Sequence, residues 1–181
     1  QLHYVFSAYA MNKQNVIFRD SDFFTINDGQ TQHRGIELEL DYQLTNSLQL
    51  ALAASHAKHT YSYDQTLSQI NINGNDIDTA PRNIANIQFN WQATDATIVA
   101  LEWHHVSDYF TDPENLHSYD GHDLINLRGA WQVTKQLKLT ARINNLTDTA
   151  YAERADYTSF TGDRYFPGRG RNIIFSASYS W

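Results

Sequence analysis

The sequence predicts an all-β fold, an antiparallel transmembrane β-barrel of which about eight strands are present, and three regularities predict it. The first is alternation. At the C-terminus Ile173, Phe175, Ala177, Tyr179 and Trp181 share one parity while Ile174, Ser176, Ser178 and Ser180 share the other, and successive strand side chains point to opposite faces. The second is the rhythm of the connections. Thr45-Asn46, Ala93 to Asp95 and Thr134 to Gln136 are short, whereas the four intervening loops run to about ten to twenty-four residues, the pattern of short periplasmic turns and long extracellular loops. The third is aromatic placement. Each strand descending toward the short turns ends in an aromatic on its apolar face: Tyr42, Trp91, Trp131, then Tyr179 and Trp181. Aromatic girdles sit at membrane interfaces, and a sandwich core gives no reason for such placement.

Taken in order, Leu2 to Ala10 begins a long first strand that continues past a bulge toward Phe18. Asp20 to Gly29 reads as a polar loop with an Asp28-Gly29 turn. The second strand sets Ile36, Leu38, Leu40, Tyr42 and Leu44 against Glu37, Glu39, Asp41 and Gln43. The third rises through Leu48, Leu50, Leu52 and Ala54 toward His59 and Tyr61, and a polar loop follows to Pro81. Strand four carries Ile87, Phe89 and Trp91 opposite Asn86, Gln88, Asn90 and Gln92. Strand five places Val99, Leu101 and Trp103 against Ile98, Ala100, Glu102 and His104. After a loop from Phe110 to Asp120, strand six sets Ile125, Leu127, Trp131 and Val133 against Asn126, Arg128 and Gln132. Strand seven sets Leu137, Leu139, Ala141 and Ile143 against Lys138, Thr140, Arg142 and Asn144. The longest loop, Asn145 to Gly168, leads into the last strand.

Composition narrows the classes. With 181 residues the chain holds one domain or a fragment of a larger one. It has no Cys, which removes disulfides and thiolate metal sites. Mean hydropathy is −0.54 with no apolar run of helix-spanning length, which leaves barrel strands open. The net charge of −7 argues against nucleic acid as a partner. Gln1 opens directly into strand-like sequence without a starter Met, so an upstream portion is expected.

Five stretches resemble the C-terminal barrel portion of TonB-dependent outer-membrane receptors. Arg34-Gly35-Ile36-Glu37-Leu38-Glu39 is similar to the family's Arg-Gly-x-Glu-x-Glu strand, and Ala80-Pro81-Arg82-Asn83 resembles its Pro-centred start of the next descending strand. Leu124-Ile125-Asn126-Leu127-Arg128 resembles Leu-x-Asn-Leu-Arg. Asn144-Asn145-Leu146-Thr147-Asp148 with Tyr151 resembles Asn-Asn-Leu-Phe-Asp followed by Tyr, with Thr147 in place of Phe. Tyr165-Phe166-Pro167-Gly168 with Arg171 resembles the closing Tyr-x-Pro-Gly-x-x-Arg element. The resemblance implies a barrel of about 22 strands around a plug, with a box that engages TonB. This chain would supply the last part, with plug domain, TonB box and remaining strands outside it. The implied setting is the bacterial outer membrane, with lipid and lipopolysaccharide around it. The implied activity is uptake of a scarce ligand, by family frequency a ferric-siderophore-type iron chelate. A self-standing eight-strand barrel of structural or adhesive role and a soluble β-sandwich binding module are the alternatives.

No nucleophile-base-orienter set is present, so no catalytic residues, cofactor or enzyme activity are expected. Glu37, Glu39 and Asp41 form an acidic row opposite in sign to Arg128 and Arg142, and all read as lumen residues. His104, His105, His117 and His122 lie near several Asp residues, but neighbouring strand residues face opposite ways, so no metal site is expected. The ligand-contact candidates lie in the extracellular loops: Tyr109, His117, Tyr119, His122, Arg154, Tyr157, Arg164 and Tyr165. Tyr and Arg offer stacking and charge-assisted hydrogen bonds to anionic or aromatic ligands.

Overall fold

A computed structural model describes all 181 residues. Eight long strands form one antiparallel meander: β1 (Leu2–Arg19), β2 (Thr25–Gln43), β3 (Leu48–Tyr61), β6 (Asn83–Thr94), β7 (Thr97–Val106), β10 (His122–Gln132), β11 (Leu137–Asn144) and β14 (Asn172–Tyr179). They hydrogen-bond in that order, and β1 and β14 do not pair with each other. The sheet is therefore an open arc, neither a closed eight-strand barrel nor a sandwich. Three small hairpins decorate the loops: β4 (Thr66–Leu67) with β5 (Ile70–Asn71), β8 (Tyr109–Phe110) with β9 (Ser118–Tyr119), and β12 (Ala152–Thr158) with β13 (Gly162–Pro167).

Register carries the apolar pattern across the arc. Leu2, Tyr42, Leu50, Phe89, Leu101, Leu127, Ile143 and Ile173 are successive cross-strand partners from β1 to β14. Paired residues project to the same side, so one continuous apolar rung crosses all eight strands. A one-residue slip in any pair would swap that rung for the polar face. The polar face holds Glu37, Glu39, Asp41, Gln88, Asn90, Glu102 and Arg128, as a hydrated lumen requires.

The three short turns share a chemistry that the turn lengths alone do not reveal. Each is preceded by Gln-x-Thr: Gln43 with Thr45, Gln92 with Thr94, Gln132 with Thr134. Gln43 Nε2 donates to the Thr45 carbonyl and Gln132 Nε2 to the Thr134 carbonyl, both at 2.7 Å. Thr134 Oγ1 accepts from the backbone N–H groups of Gln136 and Leu137, closing the turn without glycine.

Two boundaries differ from the sequence reading. Residues 25 to 29, assigned to a polar loop, are strand: β2 has 19 residues and β1 18. About ten residues suffice to span a bilayer, so both strands project well above the membrane. The Asn145 to Gly168 loop also contains the paired β12–β13 hairpin. Polar composition obscured both, because strands beyond the membrane have no lipid face to keep apolar.

Protein core is scarce and lies almost entirely in the loops. Tyr61, Leu67 and Ile72 form one buried cluster under Phe18, Ile26, Tyr63 and Ile77. Elsewhere the buried side chains are mainly polar: Ser21, Thr111, Asp112, Glu114, Asn145, Asp156 and Thr158.

Candidate functional site

The loops at the upper end of the arc pack into a cap. Glu114, on the β7–β10 loop, accepts hydrogen bonds from Ser21 Oγ at 2.9 Å and Ser68 Oγ at 3.1 Å, joining three loops at one carboxylate. The β12–β13 hairpin joins through the Ser159 N–H, which donates to the Ser21 carbonyl at 3.0 Å, and through the Ser159 hydroxyl on Asp22. Phe23 stacks on Phe160 at 6.3 Å, with the Arg164 guanidinium 5.5 Å from the Phe23 ring.

Beneath this, Tyr61 donates to Asp78 Oδ1 at 2.8 Å. Burial pushes the Asp78 carboxyl above its ordinary range, and the nearby charges of Asp112 and Glu114 add to the effect against the opposing Tyr61 bond. Burial also pushes the Tyr61 phenol up, helped by Asp78. The cap thus holds three carboxylates in a partly dry space.

The motifs of the β10–β14 segment fold on one another. Asn126 Oδ1 accepts from the Asn145 N–H at 2.9 Å. Asn145 both donates to the Thr149 carbonyl and accepts from the Thr149 N–H at 2.9 Å. Asp148 Oδ1 accepts from the Arg171 N–H at 2.9 Å. A Cβ on Gly168 would lie 2.1 Å from the Tyr151 ring, so the ring requires glycine there. Gly121 is required differently: its φ is +79°, and a Cβ would lie 2.3 Å from the Val106 carbonyl oxygen.

On this scaffold some of the sequence-chosen residues converge. Tyr109 and Tyr119 ring centroids are 5.3 Å apart, Tyr119 and Tyr165 6.3 Å, and Tyr119 and His122 6.0 Å. Tyr151, a loop aromatic as well as a motif residue, completes the row at 4.8 Å from His122. The His122 Nδ1 lies 3.0 Å from the Tyr119 hydroxyl. Two phenols also have structural work: Tyr109 accepts from the Ala155 N–H at 2.8 Å and Tyr119 from the Ala152 N–H at 3.0 Å.

Others are drawn apart. His117 stacks on Tyr157 with centroids 3.5 Å apart and rings nearly parallel. Its Nδ1 lies 3.4 Å from Asp112 Oδ2 but lacks hydrogen-bond alignment. Arg154 and Arg164 both reach the buried Asp156, at 2.8 and 2.6 Å. Sequence reasoning missed Asp156, because nothing in the alternation marks a buried acid within a loop hairpin.

Two cavities meet beneath this row. One of about 680 Å³ is lined by Tyr109, His122, Tyr151, Glu153 and Arg154 with Thr79 and Pro81. The other, of about 440 Å³, shares His122, Tyr151 and Glu153 and continues to Asn126, Asn144 and Arg169. Together they lead from the loops toward the polar face, with a charged and aromatic lining suited to a polar, partly aromatic ligand. His104 faces inward, 2.7 Å from Asn86 Nδ2, whereas His105 faces outward on Asp123 at 2.9 Å. No three His, Asp or Glu side chains converge as a metal site. The expected girdle residues Tyr42, Trp91, Trp131, Tyr179 and Trp181 are all exposed on the apolar face near the short turns.

A family model described as TonB dependent receptor-like, beta-barrel, matches residues 1–146. No curated protein matches the sequence. Solved structures match across the whole arc. The siderophore receptor PiuA from Acinetobacter baumannii is 17% identical, with 98% of this chain and 26% of that one covered, at a TM-score of 0.81. The ferric citrate transporter FecA in its unliganded form is 16% identical over 98% of this chain and 29% of its own, at 0.83. The copper transporter OprC is 20% identical over 99% and 29%, at 0.76. The chain therefore spans less than a third of the length of each of these proteins, and at such identities the likeness is one of fold.

Proposed function

Since the chain belongs to the TonB-dependent receptor β-barrel family, we propose that it is the C-terminal segment of an outer-membrane receptor that takes up a ferric-siderophore-type iron chelate. The family consists of receptors and transporters rather than enzymes, and its place is the bacterial outer membrane. In this reading the open arc is completed by further strands to a barrel of about 22 around a plug. The plug meets the acidic row of Glu37, Glu39 and Asp41, and TonB drives release through the upstream part. Lipid and lipopolysaccharide cover the apolar face.

The observation that carries the cargo reading is the joined cavity under the cap. Tyr109, His122, Tyr151 and Arg154 line its walls, and it opens toward the lumen. An iron chelate presents anionic or catecholate oxygens, which suit an arginine and stacking phenols. The names of PiuA and FecA, a siderophore receptor and a ferric citrate transporter, favour iron. OprC, a copper transporter on the same fold, marks metal uptake without iron as the competing cargo.

His122→Ala with Arg154→Ala tests this in the full receptor. Arg164 still holds Asp156 at 2.6 Å, so the change leaves no orphaned buried charge. Growth of a siderophore-dependent host should fall on the chelate the wild type uses, with surface levels unchanged. Undiminished uptake of every iron chelate tested would move the contacts elsewhere. Copper-dependent growth in their place would replace the cargo.

A further inference from the structure

Above the apolar band, the outward side chains of β2 and β3 turn basic. Ala10, Arg34 and Lys58 share one outward rung. His56 lies one rung lower beside Ile36, with its Nδ1 2.6 Å from Asn83 Oδ1. Arg34 and Lys58 are both exposed, and neither takes part in an ion pair. Asp76, on the loop beside Thr60, is held by Arg82 at 2.7 Å. Like charges directly opposite across a strand pair repel, so this rung favours an anion placed between them from outside.

The surroundings specify what kind of anion. The next rung up is neutral, with Gln32 Nε2 donating to Asn12 Oδ1 at 3.2 Å. Directly below lies a recess of about 370 Å³ with Phe6, Ile36, Leu38, Ala54 and Ala85 on its apolar side, and His56 at its upper edge. A cationic step above an apolar recess, on the lipid-facing side, fits a molecule with a phosphate head and acyl chains. Arg presents a fork to phosphate and Lys a point charge.

We propose that Arg34 and Lys58 form a binding site for a phosphate of lipid A in the outer leaflet, with an acyl chain in the Phe6–Ile36–Ala85 recess. The proposal rests on the outer-membrane reading. It commits to a lipid over free phosphate because the recess continues the cationic step into the apolar band.

The test uses the full receptor containing this segment, delipidated in detergent and titrated by native mass spectrometry with bis-phosphorylated and dephosphorylated lipid A. Wild type should bind the phosphorylated form about tenfold more tightly. That preference should vanish in the double variant Arg34→Gln with Lys58→Gln, and persist in Arg34→Lys with Lys58→Arg. Equal binding of phosphorylated lipid A by wild type and the glutamine variant overturns the site. Displacement of the lipid by inorganic phosphate overturns the lipid assignment. Should the glutamine variant fail to fold, wild type alone decides, since indifference to lipid phosphorylation is enough to reject the proposal. The underlying reading fails differently: a receptor without heat-modifiable migration is no membrane barrel, whereas a heat-modifiable one indifferent to phosphorylation loses only this site.

Discussion

β6 and β7 bury a single residue between them, Ala100, while the loop that follows buries Ser107 and the whole run from Thr111 to Glu114. The two stretches are neighbours in sequence and are stabilised in opposite ways. In the strands, backbone ladders and cross-strand pairs hold the sheet, and the apolar face waits for lipid. In the cap, buried Ser21, Asp112, Glu114 and Asp156 are held by partners from the loops themselves, and the chain supplies its own core. The band is tolerant of detail but not of polarity on its outer face; the cap is tolerant of composition but not of a lost partner.

The largest effect should come from breaking the band's facing rule. Leu127 lies midway along β10 on the apolar face, and its chain neighbour Arg128 already carries a guanidinium on the other. Leu127→Arg should cost about 2–4 kcal/mol in the full receptor. Gln88→Arg, on the polar face opposite Glu102, should cost clearly less. Reversible unfolding in lipid measures both, and equal costs would contradict the facing.

Breaking the cap should be a local event. Glu114→Ala leaves the Ser21 and Ser68 hydroxyls without their acceptor, a loss of about 1–3 kcal/mol for the buried Ser21 and less for the exposed Ser68. Hydrogen exchange should rise in residues 20–24 and 64–72 and stay unchanged in β10 and β11. A loss of protection throughout the sheet would show that the two regions do not separate.

The pH response sharpens the same comparison. Because the folded pKa of Asp78 is raised, the stability it contributes is fully present below its unfolded value of about 3.9 and is lost as pH rises through the folded value. Asp78→Asn keeps an acceptor for Tyr61 and removes the charge. It should increase cap protection at pH 7 and make little difference near pH 3, read by hydrogen exchange at residues 76–82. Weakened protection at pH 7 would show that the ionised form is the one the cap needs.

The smallest expected effect lies where the long strands leave the membrane. A Cβ on Gly35 would lie 2.8 Å from the Tyr9 ring, which covers the glycine from the neighbouring strand. Tyr9→Ala should cost about 1 kcal/mol, measured by thermal unfolding. No change would mean that the sheet there is held by its ladder alone.

Much of the band was legible in the sequence, and the site was legible only in part. Alternation is a local property, so Ile36 to Leu44 and Ile173 to Trp181 announce both strand and facing without knowledge of their partners. Tyr119, Tyr165 and His122 were chosen for their chemistry, and they do converge. Asp156 was overlooked because its partners, Arg154 and Arg164, come together on it only in the folded hairpin. The recurring Gln-x-Thr before each short turn was visible and went unread, since its meaning lies in hydrogen bonds within the turn: the Thr hydroxyl accepts a backbone N–H in all three, and the Gln amide reaches across in two.

By itself, then, the sequence determined the all-β class, the order and direction of eight strands, and which face each presents, because a period of two in polarity has one physical solution at a lipid boundary. The tertiary structure decided what the loops do: that Glu114 gathers Ser21 and Ser68, and that Asp156 occupies both arginines. The Glu114 contacts join residues up to 93 positions apart. No local pattern encodes them, because burial of a polar group is set by what folds over it.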